Sequence, residues 1–446
     1  MTDDPVRWLW AAVTVVAWLV FTGWTIRRVR ARPASAAQPG ATLIVVASQT
    51  GFGDELAEMT RGAFADAGQP AQVKSFSDIT PADMTAAARV LFIASTTGEG
   101  DPPDSASGFV RKVMRDQTDL TGVSYGLLSL GDRTYAGFCG FGRALDGWLK
   151  SAGAQPLFDA VEVDNGDAAA VRHWQGELSR LTGSVDAPDW APPAYADWRL
   201  VERRLMNPGS PGEGAWHLAF EPVDGGLQWV AGDIAEVGVP SPEGGLAHRE
   251  YSVASLPADG RAEFLIRLMR RADGTPGLAS GWLTGALQIG GIAPMRIRAN
   301  KAFHGPDAAT PMILIGNGTG IAGLRSHLKA RAAAGTTGGA WLMFGERTAA
   351  HDSFHDAELQ GWLADGTLTR LDRTFSRDAG DGRYVQALIA AEAQTLRDWV
   401  TRGAAIYVCG SLQGMAGGVN AALETVLGAE ALRDLVETGR YRRDVY

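Results

Sequence analysis

The chain has 446 residues, enough for two or three domains, and its 46% hydrophobic and 20% charged composition excludes disorder as the default state. Its two cysteines, Cys139 and Cys409, are too few and too far apart for a disulfide framework and fit a reducing compartment. Beyond residue 40 the chain carries 36 basic and 48 acidic residues, a net charge of −12 that argues against nucleic acid and permits a basic protein partner.

The first predicted element is apolar. From Trp8 to Ile26 run nineteen residues without a formal charge, about 28 Å as a helix, which spans a hydrocarbon core. Asp3, Asp4 and Arg7 precede this run, while Arg27, Arg28, Arg30 and Arg32 follow it. Under the positive-inside rule the basic flank stays in the cytoplasm. Residues 8–26 are therefore expected to form one transmembrane helix in the inner (cytoplasmic) membrane, with everything after residue 27 facing the cytoplasm. A cleaved signal peptide would carry its positive charge on the other side. PASAAQPG, 33–40, reads as a flexible spacer.

A rhythm then begins. TLIVVAS (42–48), ARVLFIAS (88–95) and SYGLLSLG (124–131) are apolar runs of strand length separated by helix-like stretches, the pattern of a parallel sheet covered on both faces. This predicts a doubly wound α/β domain over 41–183. Residues 184–198, with three prolines in DAPDWAPPAYADW, read as a semi-rigid linker. Short alternating runs such as AWHLAFEPV, EFLIRLM and MRIRA then predict a small antiparallel β-barrel over 199–305. From PMILIGNG through AWLMFGE to AIYVCGS the parallel rhythm returns, giving a second α/β domain over 308–446.

Loops at strand ends carry the chemistry. SQTGFGD (48–54) joins a strand to a helix, where free backbone amides beside hydroxyl groups make a phosphate pocket that needs no cation. STTGEGDPPD (95–104) and LGDRTYAGFCGFG (130–142) end the next two strands, so all three loops gather at the carboxyl edge of one sheet, where ligands bind in such folds. In REYSVAS, Arg249 can fork onto a pyrophosphate and Tyr251 can stack on a flat ring, while the Gly277 to Ser280 turn adds amides and a hydroxyl. GNGTGIAGLR (316–325) is another strand-to-helix turn, and RTFSRDAGDGRYVQ (373–386) offers a hydroxyl and two guanidinium groups suited to an extra 2′-phosphate. A solvated basic loop is the plainer reading of that stretch. His351 and His355 in HDSFH stand four apart, as a zinc pair would on a helix, but with no third ligand nearby a solvated helix start is the reading adopted, and no metal site is expected.

The first three loops resemble the FMN domain of flavodoxins and diflavin reductases. By that resemblance Ser48, Gln49, Thr50, Gly51, Phe52 and Gly53 hold the FMN phosphate, and Ser95, Thr96, Thr97, Gly98, Glu99 and Gly100 form a second wall, Gly98 offering backbone to the isoalloxazine edge. Leu130, Gly131, Asp132, Tyr135, Phe138 and Gly140, with Asp164, form a third, in which Tyr135 covers one flavin face. Arg249, Tyr251, Ser252, Gly277, Leu278, Ala279 and Ser280 resemble the FAD site of the ferredoxin-NADP reductase superfamily. Gly318, Thr319 and Gly320, with Ser376, Arg377, Arg383 and Tyr384, complete an NADPH site.

Over nearly all of 42–446 the chain is similar to the flavoprotein subunit of bacterial sulfite reductase and to the microsomal NADPH-haemoprotein reductase. The resemblance implies that Tyr446 stacks on the FAD ring where nicotinamide must come, with Asp444, Ser252 and Cys409 around the hydride path. Several positions depart from the pattern. Thr97 stands where microsomal enzymes put a second flavin-stacking aromatic, Gly323 replaces a usual Pro, and Gly382 stands where relatives often carry a Lys for the 2′-phosphate, with Arg383 as compensation. Only about 50 residues separate the linker from Arg249, too few for the helical connecting domain of larger relatives, so the geometry between FMN and FAD is expected to depend on the linker alone. The expected activity is an NADPH-dependent diflavin reductase passing electrons from NADPH to FAD to FMN and on to a haem, sirohaem or other metalloprotein acceptor. Residues 41–180 hold 18 acidic and 11 basic residues, so that acceptor is expected to dock by a basic face. The alternatives are a ferric or small-molecule reductase without a dedicated protein acceptor, and a non-catalytic nucleotide-binding redox-sensing or scaffold subunit.

Overall fold

The computed structural model describes residues 40–133, 135–184, 190, 194–242, 244–335 and 338–446. They form three sheets. The first contains β1 (Thr42–Ala47), β2 (Ala71–Ser75), β3 (Arg89–Ser95), β4 (Ser124–Gly131), β5 (Gln155–Pro156) and β6 (Val161–Asp164), in the order β2-β1-β3-β4-β5 with β6 also paired to β4. Every pairing in it is parallel. The apolar run of β1 is legible as a two-faced strand. Leu43, Val45 and Ala47 enter one core with Phe76 and Phe92, whereas Ile44 and Val46 enter another with Phe64 and Trp174. The helix Phe52–Asp66 covers the second core with Leu56, Ala57, Thr60 and Phe64 at helical spacing, and Thr60 Oγ1 accepts the buried indole N–H of Trp174 at 3.1 Å.

The second sheet is antiparallel, ordered β10 (Leu246–Ser252), β9 (Ile234–Pro240), β12 (Ile292–Arg298), β7 (Ala196–Leu205), β8 (Ala215–Pro222) and β11 (Ala262–Arg267). One inner face is packed by Leu218, Phe220, Val237 and Phe264. The sheet curls until its two end strands meet side chain to side chain, the rings of Tyr251 and Phe264 lying 6.5 Å apart. The third sheet is parallel, ordered β15 (Arg370–Phe375), β14 (Ala340–Glu346), β13 (Met312–Asn317), β16 (Ala405–Gly410) and β17 (Tyr441–Val445). Chain order reverses direction between β13 and β16, which opens a crevice at their carboxyl ends. Gly320 sits in that crevice against β16: a Cβ there would stand 2.1 Å from the carbonyl oxygen of Cys409, so only glycine fits.

The transmembrane helix expected over 8–26 lies outside the described residues. Among the described residues no helix is long and apolar enough to cross a membrane. The longest helices among the described residues, Phe52–Asp66 and Ala168–Thr182, have 15 residues each and pack one face on a sheet. The expected single-pass membrane location is corrected accordingly and carried no further.

The expectation that the linker alone sets the geometry between the first sheet and the rest is also corrected. Arg443 of β17 pairs with Asp104, its Nε lying 3.1 Å from Oδ2. Arg111 and Lys112 pair with Glu437, and Arg296 of β12 donates to Glu55 at 3.1 Å. Arg298 Nη1 reaches the carbonyl oxygen of Thr50 at 2.5 Å. These partners are far apart in sequence, so local pattern carries no trace of them.

Candidate active site

The three loops expected to hold FMN meet at one edge of the first sheet. Gly51 takes φ 85°, a left-handed conformation suited to glycine, and its N–H donates to Ser48 Oγ at 3.0 Å. A Cβ there would also stand 2.1 Å from the carbonyl oxygen of Ala299, so the loop presses on the end of β12. Gly53 N–H donates to the same hydroxyl at 3.2 Å, and Phe52 begins the following helix beneath the guanidinium of Arg298. Gln49 Nε2 donates to the carbonyl oxygen of Arg443 at 3.0 Å. That contact lies one residue from Asp444.

Ser95 Oγ faces Gly53, and Thr96 N–H donates to Leu130 O at 2.8 Å, so the second loop bridges the first and third. Thr97 closes a tight turn around Gly98, Glu99 and Gly100 by donating its N–H to Asp101 O at 2.8 Å. In the third loop, after Gly131, Arg133 N–H donates to Asp164 Oδ1 at 3.0 Å, and Tyr135 N–H donates to Asp132 O at 3.2 Å, leaving the Tyr135 side chain half-buried. Phe138 is buried under the guanidinium of Arg133, and Gly140 begins the next helix. Among the described residues Thr96 Oγ1 is buried without a hydrogen-bond partner. An orphaned hydroxyl among flexible glycine turns fits a ligand with donors and acceptors, as FMN has.

A cleft of about 730 Å³ lies between the second and third sheets. Its walls include Tyr251, Ser252, Ser280, Gly318, Thr319, Ser376, Arg377, Tyr384 and Tyr446 from the expected FAD and NADPH sets. Gly277, Leu278 and Ala279 form the turn leading to Ser280, whose hydroxyl accepts the N–H of Met269 at 3.0 Å. Arg249 is exposed on β10 and, among the described residues, its Nη1 donates to the neighbouring His248 O at 2.7 Å, which leaves the rest of its fork for a phosphate. Burial pushes the Tyr251 phenol up to about 12, so it stays neutral and fits an aromatic stacking role.

Behind the cleft wall, Ser252 Oγ donates to Asp444 Oδ2 at 2.6 Å, and Cys409 Sγ lies 3.7 Å from the same oxygen. The register that pairs β16 with β17 sets Cys409 directly beside Asp444. Burial, then the Asp444 charge, push the Cys409 thiol well up, so it is a neutral donor rather than a nucleophilic thiolate. Burial likewise raises the Asp444 carboxyl, and hydrogen bonds from Ser252 and Cys409 offset part of that. Tyr446 is half exposed at the mouth, its hydroxyl 3.1 Å from Thr319 Oγ1.

The 2′-phosphate group divides. Ser376, Arg377 and Tyr384 line the cleft, whereas Arg383 Nε is held by Asp381 at 2.6 Å and does not. A helix does start after HDSFH, at Asp356, and His351 is exposed, but the His355 side chain is withdrawn from water, 8% exposed. Among the described residues no group of three His, Cys, Asp or Glu is placed to hold a metal ion. Sequence reasoning missed Arg267 and Glu346, the last residues of β11 and β14, which pair at the cleft wall. Their signal was available: charged residues ending apolar strands, at the edge where ligands gather.

The Flavodoxin family matches residues 44–174, and the family described as Oxidoreductase NAD-binding domain matches residues 314–421. The chain is 26% identical to the sulfite reductase [NADPH] flavoprotein alpha-component of Vibrio cholerae serotype O1, with 95% of this chain and 90% of the relative covered. It is 27% identical to that of Neisseria meningitidis serogroup C, at 92% and 90% coverage. To that of Bacillus subtilis it is 25% identical, at 90% and 89% coverage.

Proposed function

We propose that the chain is a short-form NADPH-dependent diflavin reductase, with an FMN region over 41–183, an FAD region over 199–305 and an NADPH region over 308–446. It is an NADPH-dependent flavoprotein oxidoreductase whose cofactors are FMN, FAD and NADPH. The alignment with the Vibrio cholerae relative runs over 555 positions against a chain of 446 residues, which supports the loss of a connecting segment here. When bound, the flavins accept a two-electron hydride and release electrons singly.

The chain's own residues orient that chemistry. Arg249 and the turn at Gly277 to Ser280 would hold the FAD phosphates, and Tyr251 and Tyr446, which line one cleft, would supply its aromatic contacts. Ser252 and Cys409 both hydrogen-bond Asp444 Oδ2 and would set the polarity beside the flavin ring. The observation that carries the reading is the Gln49 contact to Arg443 O at 3.0 Å, next to Asp444. It joins the loop that would hold the FMN phosphate to the strand that carries Asp444, so the same strand touches both proposed flavin regions.

The acceptor proposed is a haem, sirohaem or other metalloprotein with a basic docking face. Release and identification of the bound flavins, followed by NADPH-driven cytochrome c reduction, tests the reading. Both FMN and FAD are expected in near-equal amount, with reduction of cytochrome c dependent on FMN. Purified protein that binds a single kind of flavin, or reduces ferric chelates but not cytochrome c after FMN is supplied, would favour the small-molecule reductase instead.

A further inference from the structure

Arg296 and Arg298 leave β12 on one face, and both reach residues of the first α/β region. Arg298 is the more deeply placed, its side chain 1% exposed. Its fork is divided. Nη2 donates to Glu250 of β10, Nη1 donates to the carbonyl oxygen of Thr50 at 2.5 Å, and the guanidinium lies 6.0 Å from the centre of the Phe52 ring. Among the described residues its Nε is buried without a hydrogen-bond partner, Glu236 Oε2 standing 3.8 Å away. A buried cation with one donor unpaired is costly, and the contact from a loop 248 positions away offsets part of that cost.

Glu250 looks the other way, into the large cleft. Its side chain is 40% exposed, and it lines the same space as Tyr251, Ser252 and Tyr446. Residues 250 and 252 leave β10 on one face, so the carboxylate stands on the side where Ser252 meets Asp444. An uncompensated carboxylate there opposes the arrival of electrons in the cleft, because like charge is added to like. Arg298 compensates it. That compensation is firmest when the loop 48–53 is seated against β12, for the seated loop keeps water from the guanidinium and the attraction is then least screened. The seating is close: a Cβ on Gly51 would stand 2.1 Å from the carbonyl oxygen of Ala299, the residue after Arg298. We infer that Arg298 is a positioning residue that couples the seating of this loop to the reduction potential of FAD, through its counter-charge on Glu250. The inference rests on the cleft being the FAD site. By linkage, a seated loop makes FAD easier to reduce, and reduced FAD favours the seated loop by the same factor.

Two measurements on the flavin-loaded, full-length protein test it: spectroelectrochemical titration of FAD, and small-angle scattering against salt, in which release of the loop raises the radius of gyration. Glu250→Gln, nearly isosteric, leaves Arg298 uncompensated, so FAD is expected to become easier to reduce by roughly tenfold, about 30 mV for two electrons. A merely structural pair would not move that potential. Arg298→Met is expected to shift it roughly tenfold the opposite way and to release the loop at lower salt than wild type. Arg298→Lys keeps the charge but not the fork, so one ammonium cannot serve both Glu250 and Thr50, and the loop is again expected to release at lower salt. An FAD potential unchanged or lowered in Glu250→Gln, or release at the wild-type salt concentration in Arg298→Lys, would each overturn the inference, as would a wild-type radius of gyration that salt does not move. Should Arg298→Met fail to fold, the other two variants decide. Wild-type protein that retains no FAD would overturn the reading of the cleft itself, and the inference with it.

Discussion

Asp444 is a carboxyl that the fold holds under strain of solvation. It is buried, its charge is opposed by desolvation, and two donors, Ser252 and Cys409, relieve only part of the cost. Its folded pKa is therefore raised above the ordinary 3.8. For an acid shifted upward, stability is fullest below the unfolded value and is lost as pH rises through the folded one. Asp444→Asn keeps an acceptor for Ser252 and removes the charge. Its melting temperature is expected to be at least that of wild type at pH 7, with the difference between the two proteins shrinking as pH falls toward 4. Glu250 and Glu346 are shifted the same way by burial, so the comparison is between variant and wild type rather than along one curve. Flavin reduction by NADPH is expected to slow by about ten- to a hundredfold. A variant that is destabilised at pH 7 yet reduces flavin at the wild-type rate would contradict both the burial argument and the role.

At the scale of elements, β17 does several jobs because successive side chains leave a strand on opposite faces. Tyr441 packs in the core of the third sheet, Arg443 crosses to Asp104, Asp444 meets Ser252, and the chain ends with Tyr446 over the cleft. Tyr446 is held at its hydroxyl by one hydrogen bond and is half exposed, so displacing it costs about 1 kcal/mol. Ending the chain at Val445 is expected to leave FAD bound and to narrow the preference for NADPH over NADH, checked by steady-state kinetics with each nucleotide; unchanged kinetics would refute the gate. Sequence made some of this visible and hid the rest, for a physical reason. Runs such as TLIVVA and AIYVCG read as strands because both faces are buried, and Tyr446 and Asp444 stood out as costly residues at a chain end. Arg443 looked like one basic residue among three, since its partner lies 339 positions away. The same holds for Arg267 and Glu346, 79 positions apart, whereas Arg383 is occupied by Asp381 only two residues away.

Across the whole molecule, the first sheet is joined to the other two mainly by charge. Asp104 and Glu55, two of the acidic residues that a basic acceptor was expected to meet, are already paired with Arg443 and Arg296. An acceptor that docks there, as proposed, would therefore compete with the reductase half of the chain for one face. Each of these pairs is partly exposed and worth about 0 to 1 kcal/mol, so together they hold the docked arrangement only loosely and yield to salt. Two opposed effects follow. Low salt favours the docked arrangement that loads the FMN region but hides its face, while high salt frees the face but weakens both encounters. Cytochrome c reduction is expected to peak at intermediate ionic strength, whereas ferricyanide, a small acceptor able to take electrons without that face, should respond weakly. Reversing one charge in Asp104→Arg is expected to lower cytochrome c turnover several-fold at low salt. The double exchange Asp104→Arg with Arg443→Asp should recover part of it, because the attraction is restored with its sign inverted. Turnover that falls smoothly from the lowest salt, together with no recovery in the double variant, would mean that the face serves the acceptor alone.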